Sequence, residues 1–381
     1  MFVMKTRAVA MVLVGGRGSR LYPITKRKAK PAVSFGGKFK LVDFVLSNLT
    51  NAHFTAVGLV TQYEPYSLMN YIQHGATWDL DLPDGGIHFL TPYTSYEGDR
   101  WQKGTAHAVR QHQYFIDHYN PEYVLILSGD HIYKMDYNEL IDAHEASKAD
   151  LTLGVFTPND SLERYGVVNS DDQGKVTEFE EKPSVAKDNA YASMGVYVFN
   201  KDCLKTILNE ASEEEFDFGK DVIPNALKAR YDVRTYHFKG YFRDVGTVEN
   251  LYQTNMDLLD HPEYLKLNDY KTLPLFTRSS DMPPHHVMRH DLIEQSLISD
   301  GCLVSGTIKH SILSNGVTIK EDAHVENSLV FSNAVVGEHS ILKNAIVLED
   351  TIILPNTELI FDEVTVIDNE TLWALGGDVN D

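Results

Sequence analysis

Hydrophobic residues along the chain fall into three textures. The first is the short, unbroken apolar run. Residues 9–14 (VAMVLV) and 123–127 (YVLIL) have strand length, and continuous apolarity predicts buried strands, as in a parallel sheet, while 55–61 (TAVGLVT) reads as a further strand. The second is helical period, which recurs over 39–49, over 66–73, from Gly104 through His118, and over 248–259. Further strands are predicted at 176–183, where Pro183 sets the exit direction, and at 192–199 (ASMGVYVF). Residues 78–92, rich in Asp, Gly and Pro, read as a loop able to line a site. Strand and helix alternate, which predicts a doubly wound α/β domain.

The third texture follows a proline-punctuated stretch at 262–284. Val330, Val336, Leu342, Leu348, Leu354 and Ile360 recur every six residues. So do Leu329, Val335, Ile341, Val347, Ile353 and Leu359, with an earlier track of Leu313, Ile319, Val325 and Phe331. Every sixth residue returning to an interior predicts hexapeptide repeats in a left-handed parallel β-helix. The expected division is a first domain over 1–260, a linker over 261–284 and the β-helix over 285–381. The repeats carry no evident catalytic histidine, so they read as a packing and assembly domain.

Chemistry concentrates where the first strand ends, in residues 15–21 (GGRGSRL). Gly15, Gly16 and Gly18 permit positive φ and close approach to a ligand, and Ser19, Arg20, Lys28 and Lys30 add donors and charge suited to phosphate. A tight turn is the alternative use of the same glycines. The string fits neither a P-loop nor the dinucleotide fingerprint. Gly104 and Thr105 start a helix, where free amides favour an anion or oxygen-rich ring, or where Thr105 is simply a cap. Asp130 stands just past the 123–127 strand, in the crevice where α/β sheets bind ligands, as a metal ligand or as a turn residue. Glu213, Glu214 and Glu215 read as a solvated face. His285, His286 and His290 include an i, i+4 pair without a third metal ligand.

The net charge of -20 excludes a general nucleic-acid or membrane-surface binder, which would present a basic face. Against that background Arg17, Arg20, Lys26, Arg27, Lys28, Lys30, Lys38 and Lys40 form a local basic cluster for an anionic substrate. The two cysteines, Cys203 and Cys302, lack metal-binding spacing and read as reduced thiols of a cytoplasmic protein. No apolar stretch approaches the roughly 20 residues needed to span a bilayer, and the N-terminus reads as a strand, without a cleavage-site pattern.

Residues 15–48 (GGRGSRLYPITKRKAKPAVSFGGKFKLVDFVLSN) resemble the signature of the sugar-1-phosphate nucleotidyltransferases. The second half, AKPAVSFGGKFKLVDFVLSN, is similar to the glucose-1-phosphate adenylyltransferases of bacterial glycogen synthesis, a likeness that extends from Gly15 to about Val347. The resemblance implies a Rossmann-like nucleotidyltransferase domain with a mixed, mostly parallel sheet, followed by the β-helix. It also implies a reaction in which ATP and glucose 1-phosphate give ADP-glucose and pyrophosphate. In that reading Arg20, Lys30 and Asp130 are catalytic, and Gly15, Gly16, Gly18, Ser19, Gln62, Gly104 and Thr105 bind nucleotide. Glu181, Lys182, Ser193, Gly195 and Tyr197 bind the sugar phosphate, with Gly195 leaving room for the pyranose ring. Asp130, in GDHIY, and Asp244, in FRDVGT, hold Mg2+. The DFGKD string at 217–221 is taken as mainly structural. Phe242 stands where the family often has Trp, Val14 where Ala is common, Ser19 replaces Thr and Lys28 replaces Arg. Arg27 occupies a position where Lys is often linked to activator binding, which points to regulation by a small-molecule metabolite. A homotetramer is implied, with a paralogous regulatory subunit as a further partner. The competing readings are transferases that use dTTP, UTP or GTP, a regulatory subunit without catalysis, and a hexapeptide acyltransferase.

Overall fold

The computed structural model describes residues 6–92, 94–95, 98–99, 102–158, 161–184, 190–212, 217–289 and 292–374. Glu213, Glu214, Glu215 and His290 lie outside the described residues. The chain packs as two compact units. The first comprises Met1–Gly16, Phe44–Phe242 and Tyr270–Phe276, and the second comprises Arg17–Asp43, Arg243–Asp269 and Thr277–Asp381. No helix among the described residues is long and apolar enough to cross a membrane.

The first unit is built on a mixed sheet of nine strands. Its centre is Ala8–Leu13, whose residues Val9 to Val12 are fully buried, as the unbroken apolar run requires. This strand lies parallel to Ala56–Val60 on one side and to Tyr123–Ser128 on the other. Beyond Tyr123–Ser128 the pairing turns antiparallel, through Tyr191–Asn200 and Gly166–Ser170 to Val176–Glu181. Leu151–Phe156 joins Tyr191–Asn200 antiparallel and Val233–His237 parallel.

Two local expectations are corrected. Within the supposed loop at 78–92, Gly86–Leu90 forms a strand parallel to Ala56–Val60 at the sheet edge. Only Gly86 and Leu90 of it are buried, so it carries no apolar run to announce it. The helical stretch after Gly104 is two helices, Thr105–Gln111 and Gln113–Tyr119, separated at His112, whose φ of -110° and ψ of 22° leave the helical region. His112 is fully buried, so its tertiary contacts hold the break.

In the second unit the hairpin of Ser34–Phe35 and Phe39–Lys40 turns at Gly36 and Gly37, both at positive φ. The Gly36 amide donates to Asn255 Oδ1 at 2.8 Å, which ties the turn to the helix Val248–Asp260, itself capped by the Thr247 side chain. The strands from His286–Val287 to Glu358–Ile367 form the parallel β-helix. Its coils are shorter than three hexapeptides, because Val325 stacks on Leu342 and Leu342 on Leu359, a coil of 17 residues. The earlier coil from Ile293 to Ile308 has 15. The interior track therefore runs Leu313, Ile319, Val325, Val330, Val336, Leu342, Val347, Ile353 and Leu359, stepping by five at every third position. Continuing by six fails. Leu348 and Leu354 are only half-buried, and Ile360 is 57% exposed.

The short step falls at one corner of the coil. There Gln295, His310, Asn327 and Asn344 adopt the left-handed conformation, each followed by Ser296, Ser311, Ser328 or Ala345. Each of these serine hydroxyls accepts the backbone amide of its counterpart one coil later, at 3.1, 3.0 and 3.2 Å. A residue missing from the corner is thus replaced by a side-chain hydrogen bond. Cys302 lies within this core and Cys203 in that of the first unit, both unpaired thiols that burial pushes up, to about 11 and about 12.

Candidate active site

Gly15 and Gly16 belong to the first unit, and the stretch from Arg17 onward to the second. In the first, a Cβ on Gly15 would stand 2.9 Å from Gln62 Cβ and 3.0 Å from the Gln62 backbone nitrogen, so glycine is needed for close approach. Gly16 faces open space. Gln62 donates from Nε2 to the Gln102 carbonyl at 2.8 Å, and the Gln102 amide in turn meets His112 Nε2 at 3.1 Å. Burial pushes His112 down to about 4, so the ring is neutral and its Nε2 accepts from the amide.

Thr105 begins its helix as expected, but its hydroxyl turns inward. It donates to Asp217 Oδ2 at 3.1 Å and accepts from the Phe218 amide at 3.0 Å. Asp130 lies past Tyr123–Ser128, where Ser128 Oγ donates to its Oδ1 at 2.5 Å. His131 Nε2 is 3.6 Å from the same oxygen, and its Nδ1 donates to the Met194 carbonyl at 3.1 Å. The His131 ring also packs on Phe242, which closes an aromatic group with Phe156 and Tyr133.

Glu181 ends the strand Val176–Glu181, and Lys182 leaves it at φ 51°, a left-handed conformation for a non-glycine residue. The Lys182 ammonium is 3.4 Å from Glu181 Oε1 and largely exposed. Ser193 Oγ accepts the Gly195 amide at 3.3 Å, and burial pushes the ionisation of the Tyr197 hydroxyl well up. Gly195 itself sits at φ 66°, near a register shift against Leu151–Phe156. A Cβ there would be 3.4 Å from the His131 ring, an ordinary contact, so the left-handed backbone is what demands glycine.

The second unit gathers the cations. Gly18, at φ 62°, is held by Thr25 Oγ1 donating to its carbonyl at 2.8 Å, and opens the turn Ser19–Leu21. Lys30 Nζ is 3.1 Å from Asp244 Oδ1. The exposed Arg20 lies over Gly246, where an added Cβ would be 3.1 Å from its guanidinium and 3.4 Å from Asp244 Oδ2. Arg20, Lys30 and Asp244 are therefore neighbours.

The family model described as Nucleotidyl transferase matches residues 9–261, and the one described as GlmU-like, C-terminal hexapeptide matches 283–369. A glucose-1-phosphate adenylyltransferase of Bacillus cytotoxicus is 45% identical over 340 residues, 88% of this chain and 90% of the relative. Those of Bacillus mycoides and Bacillus anthracis are 45% and 44% identical over 338 residues, 88% of this chain and 89% of each relative. The chain belongs to the glucose-1-phosphate adenylyltransferases.

As a glucose-1-phosphate adenylyltransferase it is a nucleotidyltransferase enzyme, and enzymes of that class generally use a divalent metal. The basic cluster is not a uniform patch, since Lys26 pairs with Glu370 at 2.6 Å and Lys28 with Glu349 at 2.5 Å. Arg27 lines a pocket of about 350 Å³ together with these two lysines, both glutamates and Thr351. Sequence reasoning does not single out His131, Asp217 and Gly219 as site residues. His131 stood in the quoted GDHIY string and the other two in DFGKD, so the motifs marked the places without assigning the side chains.

Proposed function

We propose that this protein transfers the adenylyl group of ATP to glucose 1-phosphate, giving ADP-glucose and pyrophosphate. The observation that carries the reading is identity of 45% across both family regions to a protein named for that reaction. An anionic oxygen of the sugar phosphate attacks the α-phosphorus. A new O–P bond forms as the bond to the β-phosphate oxygen breaks, and pyrophosphate leaves with the electron pair. No enzyme nucleophile is needed, so catalysis consists of positioning and charge neutralisation.

Gly15, Gly16, Gly18, Ser19, Gln62 and the Gly104 to Thr105 helix start are the proposed nucleotide contacts. Arg20 and Lys30 neutralise the triphosphate, and Arg20 follows the departing pyrophosphate. Lys182 orients the attacking phosphate, Glu181 accepts from sugar hydroxyls, and Ser193, Gly195 and Tyr197 shape the sugar end. Asp130 and Asp244 supply hard carboxylate oxygens, the donor type that suits Mg2+. When bound, the ion stabilises charge gathering on the phosphoryl oxygens. The ion pair of Lys30 with Asp244 supports a role for both at a site that handles phosphate charge.

The proposal extends to organisation. Residues 1–260 form the catalytic domain, 261–284 a linker and 285–381 an assembly domain of a cytoplasmic homotetramer in glycogen synthesis, with a paralogous subunit as a further partner. Arg27 and its pocket receive a small-molecule metabolite effector.

The test is pyrophosphate release with Mg2+ and glucose 1-phosphate, with ATP, dTTP, UTP and GTP supplied separately, in the wild type and in Asp130→Ala. Release with ATP alone, reduced at least about a hundredfold in the variant, is expected. Faster release with another nucleotide would move the substrate assignment, and no release from folded, nucleotide-binding protein would favour a regulatory subunit.

A further inference from the structure

The DFGKD stretch does more than begin a helix. Phe218–Val222 forms a π-helical turn capped by Asp217, whose Oδ1 accepts the amides of Gly219 and Lys220 at 2.9 and 3.1 Å. The other carboxylate oxygen, Oδ2, is the one that receives the Thr105 hydroxyl. With the Phe218 amide donating back to Thr105 Oγ1, the turn and the start of the Thr105–Gln111 helix are locked reciprocally. Such turns are uncommon and recur at functional sites.

The opposite side of the same turn faces the sugar end of the site. A Cβ on Gly219 would stand 2.5 Å from Glu181 Oε2 and 3.1 Å from its carboxyl carbon. A Cβ on Gly166 would stand 2.9 Å from the same oxygen. The Glu181 carboxylate thus rests against two glycines, and at Gly166 an added Cβ would also stand 2.6 Å from the Phe179 ring. The Phe218 ring, meanwhile, packs on Tyr197 with centroids 5.8 Å apart. One five-residue turn touches Thr105 on the nucleotide side and Glu181 and Tyr197 on the sugar side.

We propose that the turn from Asp217 to Gly219 is a positioning device that couples the two substrate ends. Gly219 sets where the Glu181 carboxylate lies, and Asp217 ties that placement to the nucleotide-side helix through Thr105. The inference rests on the reading of Glu181 as a sugar-phosphate residue. Gly219 is not at positive φ, and the obstructing atoms belong to the end of a flexible side chain. Alanine at 219 therefore displaces the carboxylate rather than the backbone, and it suits a helical turn better than glycine does.

The experiment measures KM for glucose 1-phosphate and for ATP, kcat and the thermal midpoint in the wild type and in five variants, with Glu181→Asp alone as the reference for the double variant. Glu181→Gln tests the underlying reading, and a rise of about tenfold in KM for glucose 1-phosphate is expected. Gly219→Ala is expected to raise the same KM about tenfold, with KM for ATP within about twofold and a thermal midpoint no lower than wild type. Combining it with Glu181→Asp, one methylene shorter, should shrink the Gly219→Ala penalty to below about threefold. Thr105→Val should also raise KM for glucose 1-phosphate at saturating ATP, although Thr105 lies on the nucleotide side. An unaltered KM in Glu181→Gln would remove both the reading and the inference. A raised KM there with wild-type behaviour in Gly219→Ala would overturn the positioning role alone, as would a lowered midpoint with both KM values raised equally.

Discussion

Burial holds the His112 imidazole neutral down to about pH 4, whereas an unfolded chain protonates it near pH 6.5. Unfolding therefore takes up close to one extra proton between those values, and the stability this residue contributes at neutral pH is lost as pH falls through them. His112→Gln keeps a polar partner for Gln102 and is expected to flatten that limb of the stability profile. Urea unfolding at successive pH values reads it, and an unchanged slope would show that the ring does not titrate as described. Residue roles were unevenly legible. That Gly15 allows close approach was legible from a glycine following a buried strand, but sequence offered a ligand as the neighbour where the structure has Gln62. The inward turn of the Thr105 hydroxyl was not legible, since its partner lies 112 residues away. For Gly195, sequence offered space for a sugar ring, while the backbone offers φ 66° as the reason.

At the scale of elements, the β-helix shows how a period is read correctly in kind and wrongly in phase. Six-residue spacing identified inward positions, yet extrapolation passed through the corners where the chain steps by five. The left-handed residue and the following serine at Gln295-Ser296, His310-Ser311 and Asn327-Ser328 were the available signal, at intervals of 15 and 17. Leu342, 1% exposed, and Ile360, 57% exposed, belong to one six-spaced track but to opposite environments. Leu342→Ala is expected to cost about 2–5 kcal/mol. Ile360→Ala should stay within about 0.5 kcal/mol. Calorimetric or denaturant unfolding distinguishes the two, and equal losses would restore the strict six-residue track. Among the shorter elements, Gly86–Leu90 escaped because an edge strand needs few buried side chains.

Across the whole molecule, a net charge of -20 coexists with a basic cluster near the N-terminus. In the second unit that cluster reaches the β-helix through Glu349, which receives Lys28 Nζ and, at 3.3 Å, Ser34 Oγ. Burial works against ionisation of Glu349, but Lys28 and then Lys40 outweigh it and hold the carboxyl below its usual value. Burial, aided by the charge of Lys28, lowers Lys40 in turn. Because the folded state holds Glu349 ionised, its contribution is complete above the ordinary carboxylate range and fades as pH falls through the lowered value. Glu349→Gln is expected to cost about 2 kcal/mol at neutral pH, and that difference from wild type should narrow in acid. The figure lies below that of a fully buried pair because Lys28 and Glu349 side chains remain 19% and 25% exposed. Unfolding at pH 7 and pH 3.5 measures it, and an equal deficit at both would reject the ion pair as the cause.

By itself the sequence determined what depends on neighbours in the chain: buried runs, helical periods, the glycine turn, the inward repeat and the motif strings that marked the family. These are local because strand and helix geometry repeat over two to six residues. Only the tertiary structure decided which partners the marked side chains meet. Thr105 and Asp217, Glu181 and Gly219, Lys30 and Asp244, and Lys28 and Glu349 are brought together by packing across 38 to 321 residues of chain. Hydrogen-bond geometry and steric room are properties of space, and no spacing along the sequence encodes them.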